Sequence, residues 1–281
     1  MIIDAVMLFN ELDILEIRLN ELNSVVDYFV IVESADRHGS AAPKAPALKE
    51  NWQRFKAFEH KIVYSCIKLE PAFSDTEACR WGRENFQRNA LLDGIRAVSR
   101  SSTDLVILSD CDEIPRASAV TENADLREMK RLNMDFFYYN VNRYIGNWCR
   151  STIGPLSAYQ ASGGLQCVRD ITGRYSWSAI DNAGWHFSFF CDIAHLREKA
   201  ESFAESGEHW GKILRERTDR QIALDVLNGV DIFHRSNHGN GGSFTYRETK
   251  DHRLPSHFLN NVERFSHFTE DGFRRACECI L

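Results

Sequence analysis

The sequence predicts an α/β fold: a mostly parallel, Rossmann-type sheet with helices on both faces, followed by a mixed α+β second half. Three observations point there. Strand-like apolar runs alternate with helix-like periodicity through residues 1–115. Those runs are continuous rather than alternating, as strands buried on both faces require. The fourth run, Leu105-Val106-Ile107-Leu108, breaks abruptly into Ser109-Asp110-Cys111-Asp112-Glu113, a gathering of carboxylates at a strand's end.

Taken in order, Ile2 to Leu8 reads as the first strand. Asn10 is placed to cap a helix, with Asp13 answering it as in a capping box. Leu12, Leu15, Leu19 and Leu22 then form one apolar stripe at helical spacing. Tyr28 to Val32 is a second buried strand ending in Glu33-Ser34, and the strand–helix–strand unit should cross over right-handed. Residues 36–49, with Gly39, Pro43 and Pro46, read as a loop. A short helix over 52–58 leads to a third strand over 61–67. The long helix predicted over 76–98 has Trp81, Leu91, Leu92, Ile95 and Val98 on its buried side. Arg83, Glu84, Gln87 and Arg88 form its polar side, with Glu84 and Arg88 in the favourable i,i+4 order. After the fourth strand and its acidic turn, Pro115 forbids regular pairing beyond it.

The second half changes character. Residues 125–132 are expected to be helical and 135–145, rich in Phe and Tyr, strand-like. Short strands are expected over 163–168, 175–180 and 184–190, and helices over 192–203 and 217–227. A Gly-rich loop spans 237–243, and Leu254-Pro255 precedes a last helix. No repeat or linker divides the chain, so residues 1–281 are expected to form a single domain.

Composition excludes several classes. The net charge is −6 and no Lys/Arg block exceeds two residues, which argues against nucleic acid as a partner. The chain opens Met-Ile-Ile-Asp without a charged leader, and no apolar run approaches the ~20 residues of a membrane span. No membrane span and a cytoplasmic location are therefore expected. The eight cysteines are scattered without a Cys-x-x-Cys pair, as reduced core thiols would be.

The acidic turn carries the chemistry. Asp110 and Asp112 stand two apart, so in extended backbone both point to one face. Carboxylates that repel one another are usually gathered around a cation. A hard divalent ion, Mn²⁺ or Mg²⁺, takes oxygen ligands and leaves positions open for substrate phosphates. Such an Asp-x-Asp at a strand's carboxyl end is where nucleotide-sugar transferases hold the ion against a pyrophosphate. The plainer alternative is an acidic turn after a strand.

A set of stretches, in order, resembles glycosyltransferase family 17. They are residues 9–22 (Phe-Asn-Glu-Leu-Asp-Ile-Leu-Glu-Ile-Arg-Leu-Asn-Glu-Leu), residues 27–34, Arg83-Glu84-x-x-Gln87-Arg88, Ser109-Asp110-x-Asp112-Glu113-Ile114-Pro115, Gly184-Trp185-His186-Phe187-Ser188, Lys199 and Leu254-Pro255. The resemblance implies a GT-A-type fold, with a nucleotide-binding half over 1–115 and an acceptor-binding half over 116–281. It also implies metal-dependent, inverting transfer of a sugar, N-acetylglucosamine or a related hexose, from a UDP-sugar to a carbohydrate or glycoconjugate acceptor. The chain departs from the family after Lys199, where Ser202-Phe203 is followed by Ala204-Glu205 rather than a Ser-Phe-x-His stretch. The animal members carry an N-terminal membrane anchor, and none is expected for this chain.

Roles follow from that resemblance. Asp112 is expected to coordinate the metal directly, Asp110 to act through water or the ribose, and Glu113 to cap the turn. Glu11, Arg18 and Glu33 sit near strand ends where a nucleotide would lie, Glu33 toward ribose or uracil. Arg83 and Arg88 are expected to reach the diphosphate, where an Arg fork suits phosphate oxygens. His186 would complete the metal shell or hydrogen-bond the leaving phosphate. Trp185 would stack on the acceptor sugar. Asp181 is the candidate base for the acceptor hydroxyl, with Glu205 and Glu208 as alternatives. Two rivals remain: a sugar-1-phosphate nucleotidyltransferase, which would carry a Gly-rich basic loop after the first strand, and a non-catalytic carbohydrate-binding protein stacking sugars on Trp148, Tyr144 and Trp185.

Overall fold

The computed structural model describes residues 1–39, 42–69, 77–172, 177–202, 212–233, 245–246 and 253–281. Four parallel strands open the fold: β1 (Ile2–Leu8), β2 (Tyr28–Ser34), β3 (Ile62–Ile67) and β4 (Leu105–Asp110), side by side in the order β3-β2-β1-β4. Helix α1 (Leu12–Leu22) links β1 to β2. A short helix α2 (Ala47–Glu50) and a 3₁₀ turn (Trp52–Phe58) precede β3, and the long α3 (Glu77–Val98) precedes β4.

Side-chain alternation explains why both faces are covered. Val6 and Leu8 of β1 join Phe29, Ile31 and Ile107 in a core with Leu15, Leu19 and Leu22 of α1. Ile3, Ala5, Val30, Val32, Val106 and Leu108 face the other way, onto Leu91 and Ile95 of α3. Each central strand thus buries both sets, which is why its sequence is mostly apolar, the buried Asp4 of β1 being matched by Arg18.

The sheet continues without a break into the second half. It runs through β7 (Arg143–Pro155), β6 (Lys130–Tyr138), β9 (Gly184–Ser188) and β5 (Glu113–Pro115), with β7 antiparallel to β4. Strand β8 (Ala179–Ile180) pairs with β6, and β10 (Thr245–Tyr246) with β7. The connecting helices are α4 (Ala117–Glu122), α5 (Leu156–Ala161) and α6 (Leu165–Ile171). The C-terminal part adds α7 (Ile193–Ser202), α8 (Lys212–Arg215), α9 (Asp219–Asn228), α10 (Ser256–Asn260) and α11 (Glu270–Ala276). Gly184 is required where β9 meets β5, because a Cβ there would lie 2.1 Å from the Ile114 carbonyl oxygen. No helix among the described residues is long and apolar enough to cross a membrane.

Several sequence expectations are corrected. Residues 125–132 are not a helix: the chain turns after α4 and enters β6 at Lys130, where pairing to β7 and β8 overrides local propensity. Residues 163–168 are not a strand: Gly163 and Gly164 turn the chain at positive φ and Leu165 begins α6. Asn10 makes no cap. Glu11 takes the N-cap position, and the Asp13 carboxylate pairs with Arg54 and His267 instead. Helix α3 buries Leu91 and Ile95 as expected, but its N-terminal half departs: Arg83, Gln87 and Arg88 are buried and Trp81 is exposed. The helix after Leu254-Pro255 is not the last, since α11 follows. The loop over 237–243 lies outside the described residues.

Candidate active site

The carboxyl ends of β1 and β4, the usual ligand edge of a parallel sheet, open into a cavity of about 480 Å³. The acidic turn, residues Asp110 to Glu113, forms its floor, and α3, α6, α7, β7 and β9 supply the walls. Opposite charges hold this floor in place. Arg169 of α6 grips Glu113 in a two-pronged pair, Nη1 to Oε2 at 2.9 Å and Nη2 to Oε1 at 2.7 Å. The same guanidinium reaches Asp110 Oδ2 at 2.6 Å. Arg88 of α3 donates to the other Asp110 oxygen at 3.0 Å and to Glu84 at 2.9 Å.

Glu113 is fully buried and accepts from Ser151 Oγ at 2.6 Å, the Trp148 indole and the Asp110 backbone N–H. It caps the turn, as the sequence suggests. Burial would raise its pKa, but Arg169 outweighs that and holds it well below the usual carboxylate range. Beneath the turn lies Arg18, also fully buried. It pairs with Asp4, donates to Ser109 Oγ at 2.6 Å and to the carbonyl oxygens of Asp110, Cys111 and Glu113. Burial would lower its pKa, yet Asp4 raises it, so the guanidinium stays charged.

Asp112 faces the other side of the turn. Its Oδ2 accepts from Lys199 Nζ at 3.1 Å, and Lys199 also reaches Glu11 Oε1 at 3.0 Å. Burial would lower the Lys199 pKa, but Asp112 and Glu11 raise it above the ordinary lysine value. Asp112 Oδ1 stands 3.7 Å from His186 Nε2. The His186 ring stacks on Phe136, centroids 4.4 Å apart, and tilts against Trp148. Burial lowers its pKa against the pull of Asp112 and Glu113, so the imidazole is held neutral. Its Nδ1 has no hydrogen-bond partner among the described residues. A second cavity of about 420 Å³, lined by Asp13, Arg54, Phe187, Phe190 and His267, shares Glu11, Asp112 and Lys199 with the first.

The structure therefore gathers Glu11, Arg88, Asp110, Asp112 and His186 around one cavity. Five other sequence candidates do not line it. Arg18 is a strut beneath the turn, not a donor ligand. Glu33 is fully buried and accepts from Lys44, Tyr64 and the N–H groups that open α2, leaving it no role at a nucleotide. Arg83 donates to the His38 carbonyl behind the cavity wall. Trp185 is buried on the far face of β9, its indole donating to the Arg253 carbonyl at 2.6 Å beneath the Arg116 guanidinium, so it offers no sugar platform. Asp181 is exposed in the turn before β9, accepting from Asn133, and is not placed as a base at this cavity. Glu205 and Glu208 lie outside the described residues. Asp110 and Asp112 also do not share a face, because the turn sends one toward the arginines and the other toward Lys199.

Sequence reasoning does not find Arg169, Gln166 and Asp170: residues 163–168 read as a strand, and it is the helix running on to Ile171 that delivers all three to the cavity. Arg169-Asp170 offers no signal without that helix. Trp148 lines the cavity, packed against Phe136 and His186 and donating to Glu113.

The described residues hold no cluster of three or more His, Cys, Asp or Glu side chains suited to a metal. Asp112 and His186 are nevertheless spaced to share one divalent ion, too far apart for a hydrogen bond to each other and both open to the cavity. They fit such an ion as two of its ligands, leaving other positions for phosphate oxygens.

Fold and site together define an α/β protein with an arginine-braced carboxylate floor at the ligand edge of its parallel strands. The sequence profile of glycosyltransferase family 17 matches residues 1–272, and the chain belongs to that family. Similar proteins include the Beta-1,4-mannosyl-glycoprotein 4-beta-N-acetylglucosaminyltransferases of Rattus norvegicus and Homo sapiens. Each is 31% identical over 307 aligned residues, covering 97% of this chain and 55% and 56% of the respective relatives. The chain thus spans about half the length of the curated relatives it matches. Among solved structures, glucosyl-3-phosphoglycerate synthase of M. tuberculosis superposes with a TM-score of 0.35 at 11% identity, over 94% of this chain and 92% of that one, a likeness too loose to bear on function.

Proposed function

We propose that this protein transfers N-acetylglucosamine from a UDP-sugar to a mannosyl residue of a glycoconjugate, with inversion and with dependence on Mn²⁺ or Mg²⁺. The observation that carries the reading is the acidic turn. In a family 17 chain, Asp110 and Asp112 open onto one cavity beside His186, whose Nδ1 has no hydrogen-bond partner among the described residues. The acceptor class is suggested by the relatives' names. Family membership also speaks against the nucleotidyltransferase and the carbohydrate-binding rivals.

In this reading Asp112 and His186 hold the divalent ion, which would neutralise charge on the departing diphosphate. Arg88 and Arg169 keep Asp110 oriented at the rim. Phe136 and Trp148 fix the His186 ring by stacking. The base in this reading is Asp170 rather than Asp181. Of the carboxylates lining the cavity, Glu11, Glu84, Asp110, Asp112 and Glu113 are all paired with cations. Asp170 accepts a hydrogen bond from Gln166 of its own helix at 2.7 Å and has no ion pair among the described residues. A carboxylate without a cation is the one free to take a proton from an acceptor hydroxyl. The eight free thiols, three of them exposed, support a reducing, cytoplasmic setting.

Calorimetry tests the donor assignment. UDP and UDP-N-acetylglucosamine should bind wild type far more tightly with Mn²⁺ than in EDTA, and Asp112→Ala should lose that metal dependence. Failure of both ligands to bind wild type under any condition would remove the UDP-sugar reading.

A further inference from the structure

Lys199 occupies an unusual position. Its ammonium sits between Glu11 and Asp112, 3.0 and 3.1 Å from their carboxylates and 5.6 Å from the centre of the Phe189 ring. It stands in the wall shared by the two cavities. The helix that carries it is pinned to the nucleotide-binding half. Glu198 pairs with Arg37 and accepts from Asn10, and the Ser202 carbonyl accepts from the Gly39 N–H at 2.8 Å. The Lys199 backbone is thereby anchored on both sides, while its four-carbon stem leaves the ammonium free to change partners.

Asp112 has one oxygen on this ammonium and the other turned to His186. A divalent ion held by Asp112 and His186 would lie within a few ångströms of a fixed positive charge. Two cations on one carboxylate repel, and in a largely buried site that repulsion is weakly screened. The same ammonium faces the cavity assigned above to an anionic diphosphate.

We propose that Lys199 is an internal counter-ion that neutralises Asp112 while the donor site is empty and exchanges onto the donor diphosphate when the nucleotide binds. The inference rests on the donor reading given above. Lys199 then opposes the bare metal ion and favours the nucleotide, so that the two bind as a pair. Lys199 thereby adds to the positive coupling that the direct attraction between ion and diphosphate already supplies.

The test measures binding alone. Mn²⁺ affinity is read by electron paramagnetic resonance without nucleotide, and UDP affinity by calorimetry with EDTA and with Mn²⁺. Wild type, Lys199→Met, Lys199→Gln and Lys199→Arg are compared. The uncharged variants should bind Mn²⁺ alone roughly tenfold more tightly, an order of magnitude set by removing one nearby like charge. They should bind UDP alone more weakly, and the factor by which each ligand strengthens the other should fall by a similar amount. Lys199→Arg should keep the wild-type pattern. Lys199→Gln can still hydrogen-bond both carboxylates, so it reads the charge even if the Met variant folds poorly. An unchanged coupling factor in a folded, uncharged variant overturns the proposal. Absence of Mn²⁺-dependent UDP binding in wild type would instead remove the donor reading.

Discussion

Arg169 lies across Glu113 and Asp110, tying a helix of the second half to the turn that ends the fourth parallel strand. The pair has fork-on-carboxylate geometry, and Glu113 is fully buried. Arg169→Met would strand that carboxylate without its cation. Breaking one side of a buried ion pair costs about 3–5 kcal/mol. Chemical denaturation should show a loss of that order, and Arg169→Lys should recover only part of it, because an ammonium cannot span both oxygens. Equal stability of Arg169→Met and wild type would contradict the bracing role.

The two candidate bases separate cleanly. Asp170→Asn should lower transfer by about 100-fold or more, the usual worth of general base catalysis. Metal-dependent UDP binding should be unchanged. Asp181→Asn, whose site is exposed and bonded to Asn133, should leave turnover within about twofold. Steady-state kinetics with a mannosyl acceptor reads both.

Trp185 and Trp148 should likewise part company. Trp185→Phe loses a buried hydrogen bond to the Arg253 carbonyl and its packing against Arg116, at a cost of about 1–3 kcal/mol. Its acceptor KM should stay at the wild-type value. Trp148→Phe removes a cavity wall and a donor to Glu113, and should change ligand binding as well as stability. A raised acceptor KM in Trp185→Phe alone would restore the sugar-stacking role.

Stability should fall as pH drops below the ordinary histidine range. His38, packed against Gln87 with Arg83 and Arg88 near it, has its pKa lowered by burial against the opposing pull of Glu84 and the Gln87 hydrogen bond. The folded state therefore favours the neutral ring, and the unfolded chain binds more protons between the lowered value and about 6.5. Its contribution is complete above about 6.5 and declines as pH falls toward the folded-state value. Denaturation midpoints between pH 7.5 and 5.5 should fall in wild type and vary less in His38→Gln. An identical slope in both would show that other groups carry the effect.

The sequence by itself determined the four parallel strands, the stripe of α1 and the acidic turn. Each is written in local pattern: continuous apolar runs, helical spacing, and carboxylates placed where a buried strand ends. It also determined that Trp185 and His186 point to opposite faces, because strand side chains alternate. Only the tertiary structure decided which of them meets the cavity, since that depends on β9 pairing with β5 and β6. The same limit hid Arg169, which meets Glu113 across 56 residues of chain, and turned Arg18 and Glu33 from ligand candidates into buried supports. A charged residue's partner is chosen by packing between distant elements, and local periodicity carries no record of that choice.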